Sequence, residues 1–283
     1  KFTKKIAEII DAQNTGPFKD INFSEDQIKE VWVAGLMHDV GKIGVPEAVL
    51  EKQNRLDGAN FQVVLDRFNY IKENFIFKSR IRNLKNKKSE DYIDKVLDKE
   101  LEEWQIDFDF INWLNKPGFL PDDKKEFLDL ISKKEFIDTS GNKNNYLSEN
   151  EHISFSVRKG NLTDSERKVI QGHILGTKKL LRKLPFPDKL KNVPFFASSH
   201  HEWINGKGYP NGLKGDEIPL AARIMCIADV WDAVTAQDRP YKPPTPIDKA
   251  IEILQSGAKF GEFDKDVVDL FVEHRVWERK EKK

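Results

Sequence analysis

The chain has 283 residues, which is enough for one large domain or two small ones. Its 47 Lys and Arg residues are balanced by 47 Asp and Glu residues, so the formal net charge is zero. This balance excludes a chain-wide attraction to DNA, RNA or an anionic membrane, and an anionic substrate would need a local cluster of cations. The single cysteine, Cys226, excludes a disulfide framework and a thiolate metal site.

The sequence predicts an all-α protein without a membrane span. Nearly every periodic segment has helical spacing, and no alternating run of about four to eight residues indicates a sheet. No apolar run reaches the roughly 18 to 20 residues needed to cross a bilayer. The chain begins at Lys1 without an initiator Met or a signal-peptide pattern, so we expect a piece of a longer, cytoplasmic protein.

The first clear helix begins at a capping box formed by Ser24 and Gln27 and runs to Asp39. Gly41 and Gly44 then break it, and Pro46 prevents a simple continuation. Further along, apolar residues recur at helical spacing in two stretches on either side of the basic segment 82–88. That pattern predicts a hairpin of two amphipathic helices with a charged tip. The tip could contact a phosphate, but a solvated turn is the stronger interpretation.

The last third predicts further helices. A second capping box, at residues 163–166, opens a helix that carries His173. Gly172 and Gly176 would each weaken this helix by roughly 1 kcal/mol, which indicates the close approach of another backbone or of a metal cluster. Residues 220–236 are apolar nearly all round, so we expect a central helix there.

Four of the six histidines and two carboxylates lie among apolar neighbours. A buried carboxylate without a partner is costly, so it needs an organic or metallic cation. Six nitrogen and oxygen ligands with no thiolate suit iron, manganese or zinc in a site where a carboxylate bridges metals. The candidates are His38, Asp39, His173, His200, His201 and Asp229.

Each candidate alone has an ordinary explanation. A single interior histidine is more often a hydrogen-bonded core residue than a metal ligand. Asp229 could instead form an ion pair with Arg223 or Lys242. His152 and His274 lie among Glu and Arg residues and are interpreted as surface residues. Only the combination of the six favours a metal centre.

Three strings in the sequence are more specific than this spacing. They are MHDVGKI at residues 37–43, HHEWINGKGYP at 200–210, and DVWDAVT at 229–235 followed by DRPYK at 238–242. Together they resemble the signatures of the HD-GYP family of HD phosphohydrolases. The resemblance covers about Ile6 to Leu50 and Val157 to Phe271.

The resemblance implies an HD-type helical bundle with a C-terminal GYP extension and a helical-hairpin insertion. The catalytic domain would be discontinuous, formed by residues 1–51 and 157–276. Residues 52–156 would be the insertion, and 277–283 a charged tail. The insertion resembles that of a subgroup with upstream sensor domains, and its amphipathic helices are compatible with a homodimer.

Activity and cofactors are likewise implied by the resemblance. The family consists of bacterial signal-transduction enzymes that open a cyclic dinucleotide, usually cyclic di-GMP, to a linear dinucleotide and sometimes to the mononucleotide. Cyclic GMP-AMP is the alternative substrate. The six candidate ligands would hold two divalent metal ions bridged by Asp39, with iron or manganese favoured and zinc allowed. A third metal stays open, because Phe2 stands where the family usually has a further histidine.

Catalytic roles would fall to Asp39 and Lys42. A metal pair lowers the pKa of water from 15.7 towards roughly 7 and neutralises phosphoryl oxygens. Lys42 would contact the scissile phosphate, while Arg239 and Lys242 would contact the phosphate or base of the nucleotide. The rim of the site would be shaped by one loop, made of Gly208, Tyr209 and Pro210.

Two alternatives to this activity stay open. The chain could be a catalytically silent module that binds a nucleotide or a protein and relays an upstream signal, which Phe2 and the insertion favour. The intact His38-Asp39 pair, Lys42 and the paired histidines argue against that hypothesis. The chain could also be an HD hydrolase of nucleoside phosphates, but that function gives no reason for the GYP segment.

Overall fold

A computed structural model describes residues 1–86, 90–236 and 245–278 and confirms the predicted all-α fold. No described helix is both long and apolar enough to cross a membrane. The helices in chain order are α1 (Phe2–Asp11), α2 (Glu25–Met37), α3 (Glu47–Leu50), α4 (Gly58–Asn86), α5 (Glu90–Leu114), α6 (Asp122–Ser132), α7 (Glu149–Phe155), α8 (Asp164–Gln171), α9 (His173–Leu181), α10 (Val193–Ala197), α11 (Leu220–Thr235), α12 (Ile247–Lys259) and α13 (Lys265–Glu273).

The chain divides into two compact units, one formed by Lys1–Val45 with Ile170–Lys283 and the other by Pro46–Val169. The second unit extends beyond the predicted insertion, 52–156. Its flanks are tied to it by polar contacts that apolar periodicity does not reveal. One of these is the ion pair between Lys52 Nζ and Glu166 Oε1, at 2.7 Å.

In the first unit, α11 lies at the centre, as its nearly all-round apolar sequence predicts. Ile224 and Ile227 are fully buried, and Trp231 stacks on the ring of Trp277 and contacts the ring of Phe271 at a tilt. Helix α1 also packs into this core, although it was not among the predicted elements. The core consists of apolar residues from α1, α2, α11, α12 and α13.

The segment after α2 is held tightly against α9. The predicted capping box at Ser24 is present, and α2 ends at Met37, followed by a 3-10 turn over Val40–Gly44. A side chain on Gly41 would overlap the backbone of α9, and a Cβ on Gly176 would lie 3.3 Å from the Gly41 oxygen. The predicted close approach of another backbone is therefore confirmed at Gly176. The predicted single helix is interrupted at Gly172, so α8 and α9 are separate.

The second unit contains both predicted hairpin helices, α4 and α5, which pack against each other. Four short strands were not predicted, because strands of two or three residues are too short to show an alternating pattern. They form two antiparallel pairs: β1 (Gly118–Phe119) with β4 (Lys159–Gly160), and β2 (Glu135–Ile137) with β3 (Lys143–Asn145).

Candidate metal centre

The first unit brings all six candidate ligands to one place. One ring nitrogen from each of His173, His200 and His201 lies within 4.8 Å of the other two. Ligand atoms of His38, His200 and Asp229 form a second group with the same maximum separation. His200 belongs to both groups, and Asp39 contacts His38 and His173 at 3.3 and 3.2 Å. Residues far apart in the chain therefore form a continuous cluster.

Three of the imidazoles are oriented in the same way. In each, Nδ1 lies within hydrogen-bonding distance of the carbonyl oxygen three residues earlier: 2.9 Å for His38, 2.6 Å for His173 and 2.7 Å for His200. A carbonyl can only accept, so Nδ1 carries the hydrogen and donates it. The neutral ring then presents an Nε2 lone pair to the cluster, which is the tautomer of a metal-ligating histidine.

Three atoms at the centre of the cluster are buried and have no hydrogen-bond partner: Asp39 Oδ1, His173 Nε2 and His200 Nε2. His173 Nε2 and Asp39 Oδ1 are 3.2 Å apart, so two lone pairs face each other when the proton is on Nδ1. Buried polar atoms are nearly always satisfied, and a shared cation would satisfy all three.

The carboxylates stay ionised despite their burial. Burial raises the pKa of Asp39, but its close contacts with His173, His38 and Lys42 hold that pKa well below its usual range. Burial likewise raises the pKa of Asp229, and its hydrogen bond with His38 outweighs that effect, so the pKa is lowered. Two ionised carboxylates in a partly buried site attract a positive charge.

The histidines divide into two electrostatic classes. Burial lowers the pKa of His200 to about 3 and that of His201 to about 4, so both rings are neutral at pH 7 and can donate a lone pair. Burial also lowers the pKa of His38, but its hydrogen bonds with Asp229 and Asp39 raise it to about 10. The position of His38 between the carboxylates therefore favours a positive charge, whether a proton or a metal ion.

These residues fit a divalent metal centre. The donors are neutral imidazole nitrogens and ionised carboxylate oxygens, and several have lone pairs that no protein donor satisfies. The one thiol, Cys226, is buried in the apolar core, and burial raises its pKa to about 12, so it is not a thiolate ligand. Such a set suits iron, manganese or zinc.

Lys42, the predicted phosphate contact, lies beside the carboxylate predicted to bridge the metals. Its Nζ is 2.6 Å from Asp39 Oδ2, and the lysine side chain is 38% exposed. The 3-10 turn after Asp39 places the ammonium group of Lys42 next to the carboxylate of Asp39, three residues earlier in the chain. The cation therefore lies at the edge of the cluster with access to solvent.

The predicted rim loop contacts the cluster through Tyr209. Its ring stacks on His201 with centroids 4.8 Å apart, and its backbone N–H donates to the His201 oxygen at 3.1 Å. The peptide bond between Tyr209 and Pro210 is cis. A side chain on Gly208 would overlap the backbone of residues 201–203, so only glycine fits there.

Two further residues organise the site and were not among the predicted ones. Glu202 is buried, and its carboxylate accepts hydrogen bonds from the backbone N–H groups of Asn211 and Leu213 at 2.7 and 2.9 Å. Thr177 is fully buried, accepts from Gly41 N and donates to the His38 oxygen. Only their positions in the sequence could have indicated these two residues, because Glu202 follows the paired histidines and Thr177 lies four residues after His173.

The remaining residues singled out in the sequence lie outside the metal cluster or outside the described part of the chain. Arg239 and Lys242 lie outside the described residues. Arg223 does not pair with Asp229, because its guanidinium reaches Asp216 and Asp264. Phe2 packs against Phe271 in the apolar core. Of the two histidines interpreted as surface residues, His274 is exposed, whereas His152 is half-buried and contacts Asp129 at 2.6 Å.

Known proteins resemble part of this chain. Residues 150–267 match the family model for an HD domain. The chain is 43% identical over 97 residues to the 3'3'-cGAMP-specific phosphodiesterase 3 of Vibrio cholerae, covering 34% of this chain and 20% of that protein. It is 38% identical over 124 residues to a probable cyclic di-GMP phosphodiesterase of the same organism, covering 41% and 27%. A cyclic di-GMP phosphodiesterase of V. cholerae is 38% identical over 123 residues, covering 42% and 25%.

The chain spans between 20 and 27% of the length of these curated relatives. The matched segment, 150–267, contains four of the six candidate ligands and the loop at 208–210. His38 and Asp39 precede that segment, and the fold brings them to the same cluster. Residues 150–267 are therefore similar to an HD domain, in agreement with the resemblance of the three sequence strings to the HD-GYP signatures.

Proposed function

We propose that this chain is the catalytic part of a metal-dependent phosphodiesterase that hydrolyses a cyclic dinucleotide. The observation that carries the proposal is the convergence of His173 Nε2, His200 Nε2 and Asp39 Oδ1, which are buried without partners. Together with His38, His201 and Asp229 they offer a ligand set for two divalent ions, with Asp39 between them. The names of the relatives support the choice of substrate class.

A phosphodiester resists hydrolysis at neutral pH because its negative charge repels the nucleophile and its leaving group is poor. Bound divalent ions would supply activated water and would neutralise phosphoryl oxygens. The protein's own contribution is to fix the donors. Three Nδ1–H groups bonded to backbone carbonyls hold the rings of His38, His173 and His200 in orientation, and Thr177 fixes the turn that follows Asp39.

Lys42 would bind the scissile phosphate. Its ammonium lies beside Asp39 at the exposed edge of the cluster, where it can exchange a carboxylate partner for a phosphate oxygen. Its positive charge is worth most when negative charge builds up on the phosphate in the transition state. Asp39 would orient the metal ions, and Tyr209, stacked on His201, would form one wall for the nucleotide. Arg239 and Lys242 are proposed to contact the phosphate or base.

The finer assignments are also proposals. Cyclic di-GMP is the leading substrate and cyclic GMP-AMP the alternative, and relatives named for each of them match this chain. Iron or manganese is favoured over zinc, with two ions rather than three, because Phe2 lies in the apolar core where it offers no ligand. An upstream sensor domain, a homodimer, the cytoplasmic location and the division into a catalytic domain with an insertion at 52–156 stay predictions.

Metal analysis combined with turnover tests this proposal. The purified protein should contain close to two equivalents of iron or manganese and should convert cyclic di-GMP or cyclic GMP-AMP to the linear dinucleotide. Chelation should abolish turnover, and the added metal should restore it. A metal-loaded protein that binds either cyclic dinucleotide but never cuts it would establish the silent signalling module instead.

A further inference from the structure

The first unit has a cavity that is formed entirely by residues 178–198. Its volume is about 420 Å³, and it lies between the end of α9, the loop that follows and α10. Small-molecule sites commonly measure roughly 300 to 1,000 Å³. None of the six candidate metal ligands lines this cavity.

The cavity is positively charged. Lys178, Arg182 and Lys191 line it, and no carboxylate does. Among the residues that the structure describes, no ion pair joins any of these three cations to an acidic side chain. Three cations around one cavity without compensating charge repel one another, and an anion between them would relieve that repulsion.

The rest of the lining is apolar and includes flat rings. Phe186, Pro194 and Phe195 line the cavity beside the fully buried Leu181. Phe195 is 47% exposed, so part of its ring is open to solvent and can contact a ligand. Aromatic faces of this kind stack against planar ligands, including nucleic acid bases.

We propose that this cavity binds a nucleotide, with the phosphate on the three cations and the base against the rings of Phe186 and Phe195. An acidic peptide would satisfy the charges, but a concave site of this volume with aromatic walls fits a compact ligand that is planar and anionic. Apart from the three cations, the one polar side chain that lines the cavity is Ser198, whose hydroxyl donates to the Phe195 oxygen, so few groups can read the edges of the base. Binding therefore depends on the phosphate and the ring, and little on which purine is present.

The cavity and the metal centre share two elements, so the test must distinguish them. Helix α9 carries His173 as well as Lys178, and α10 leads directly to His200, whose Nδ1 donates to the Ala197 oxygen. A metal centre also attracts phosphates. GMP is a suitable probe because it is a phosphate monoester, which an enzyme that cuts diesters leaves intact.

Calorimetric titration of the purified protein with GMP tests the proposal. We expect a dissociation constant below about 1 mM, with and without a chelator that strips the metal centre. Arg182→Glu should weaken binding by about tenfold or more, since it reverses one of three charges. Lys183→Glu is the matched control, because Lys183 neighbours Arg182 in the chain but does not line the cavity. It should bind GMP like the parent protein.

Titrations with AMP and guanosine test separately the contributions of the base and of the phosphate. AMP should bind within about threefold of GMP because few groups can read the base edge, and guanosine should bind far more weakly because it lacks the phosphate. Lys191→Glu provides a second variant if Arg182→Glu fails to fold. Binding that disappears with the chelator and is indifferent to both variants would place GMP at the metal centre and overturn the proposal. Equal affinity for guanosine and GMP, or no binding of GMP at about 1 mM, would overturn it as well.

Discussion

The second unit contains buried ionic groups that the protein pairs itself, whereas the first contains a buried cluster of imidazole and carboxylate atoms that it leaves without partners. In the second unit, the buried guanidinium of Arg55 donates to four backbone oxygens, from Leu114, Lys116, Gly118 and Val157, at 2.5 to 3.1 Å. Only its Nε lacks a partner. Where a polar group is needed to hold a fold together, the protein itself supplies its partners.

Two ion pairs in the second unit repeat this pattern. Glu151 is held by Arg67, with oxygen to nitrogen distances of 2.6 and 3.0 Å, and also accepts from the Ser148 backbone. The buried Asp107 is held by Lys134 at 2.5 Å. In the first unit, by contrast, His173, His200 and Asp39 point buried lone pairs at one another. Several unsatisfied polar atoms that converge on one point indicate a place where an external group binds.

The largest effect should come from removing the shared imidazole. His200→Ala takes away the ligand common to both clusters, so we expect metal affinity to fall by more than about 100-fold, and turnover with it. Metal content and cyclic dinucleotide hydrolysis measure this directly. His152→Ala is the control, since His152 contacts Asp129 in the second unit. Stoichiometric metal in the His200 variant would refute the ligand assignment.

Lys42→Ala should separate phosphate binding from metal binding. The variant keeps every candidate ligand, so its metal content should stay unchanged, while turnover falls by about 100-fold because a transition-state charge is lost. Single-turnover kinetics and metal analysis on the same sample are the measurements. Lys42→Arg, which keeps the charge, should retain part of the rate. Loss of metal from the alanine variant would mean that Lys42 acts through Asp39 alone.

In the second unit, Glu151→Gln should affect stability and leave the metal content unchanged. Removing the charge opposite the half-buried Arg67 should lower the free energy of unfolding by about 2 kcal/mol at pH 7. Burial raises the pKa of Glu151, but Arg67 and Ser148 outweigh this and lower it. The carboxylate therefore stabilises the fold fully above its ordinary pKa of about 4.3, and this contribution is lost as the pH falls below that value.

Denaturant unfolding of both proteins between pH 7 and pH 3 checks this. The difference between parent and Glu151→Gln should be constant near neutrality and should shrink on acidification. A difference that grows as the pH falls would contradict the assigned direction of the pKa shift.

Glu202→Gln should have the smallest effect of the four. Glutamine keeps one acceptor oxygen for the two N–H groups of Asn211 and Leu213, so the loop that carries Tyr209 should loosen. We expect turnover to fall by about tenfold, mainly through a higher KM, with normal metal content. Glu217→Gln is the matched control, because its carboxylate accepts from Lys214 N at the exposed end of the same loop. An unchanged KM in the Glu202 variant would mean that the loop does not position the substrate.

The chemistry was more predictable from the sequence than the packing was. The pairs His38-Asp39 and His200-His201 stand out locally, because carboxylates and imidazoles rarely follow apolar runs without a function. The helix caps at Ser24 and Thr163 were equally visible and are present. Local patterns of this kind can be predicted from the sequence because they depend on residues that are close together in the chain.

What could not be predicted depends on contacts between distant segments. Thr177 looks like an ordinary helix residue until Gly41 is packed on it, and Glu202 gains its role only when the chain returns at Asn211. The boundary of the second unit depends on Lys52 reaching Glu166. Each of these is a polar contact between residues far apart in sequence or on opposite sides of a loop, which apolar periodicity does not encode.

A crystal structure with anomalous scattering recorded at the iron, manganese and zinc edges tests the central claim most directly. Metal should lie within bonding distance of His200 Nε2, with His173 and His201 on one side and His38 and Asp229 on the other, and with Asp39 contacting both ions. A well-ordered structure from metal-supplemented protein in which His200 Nε2 contacts no metal would contradict the account.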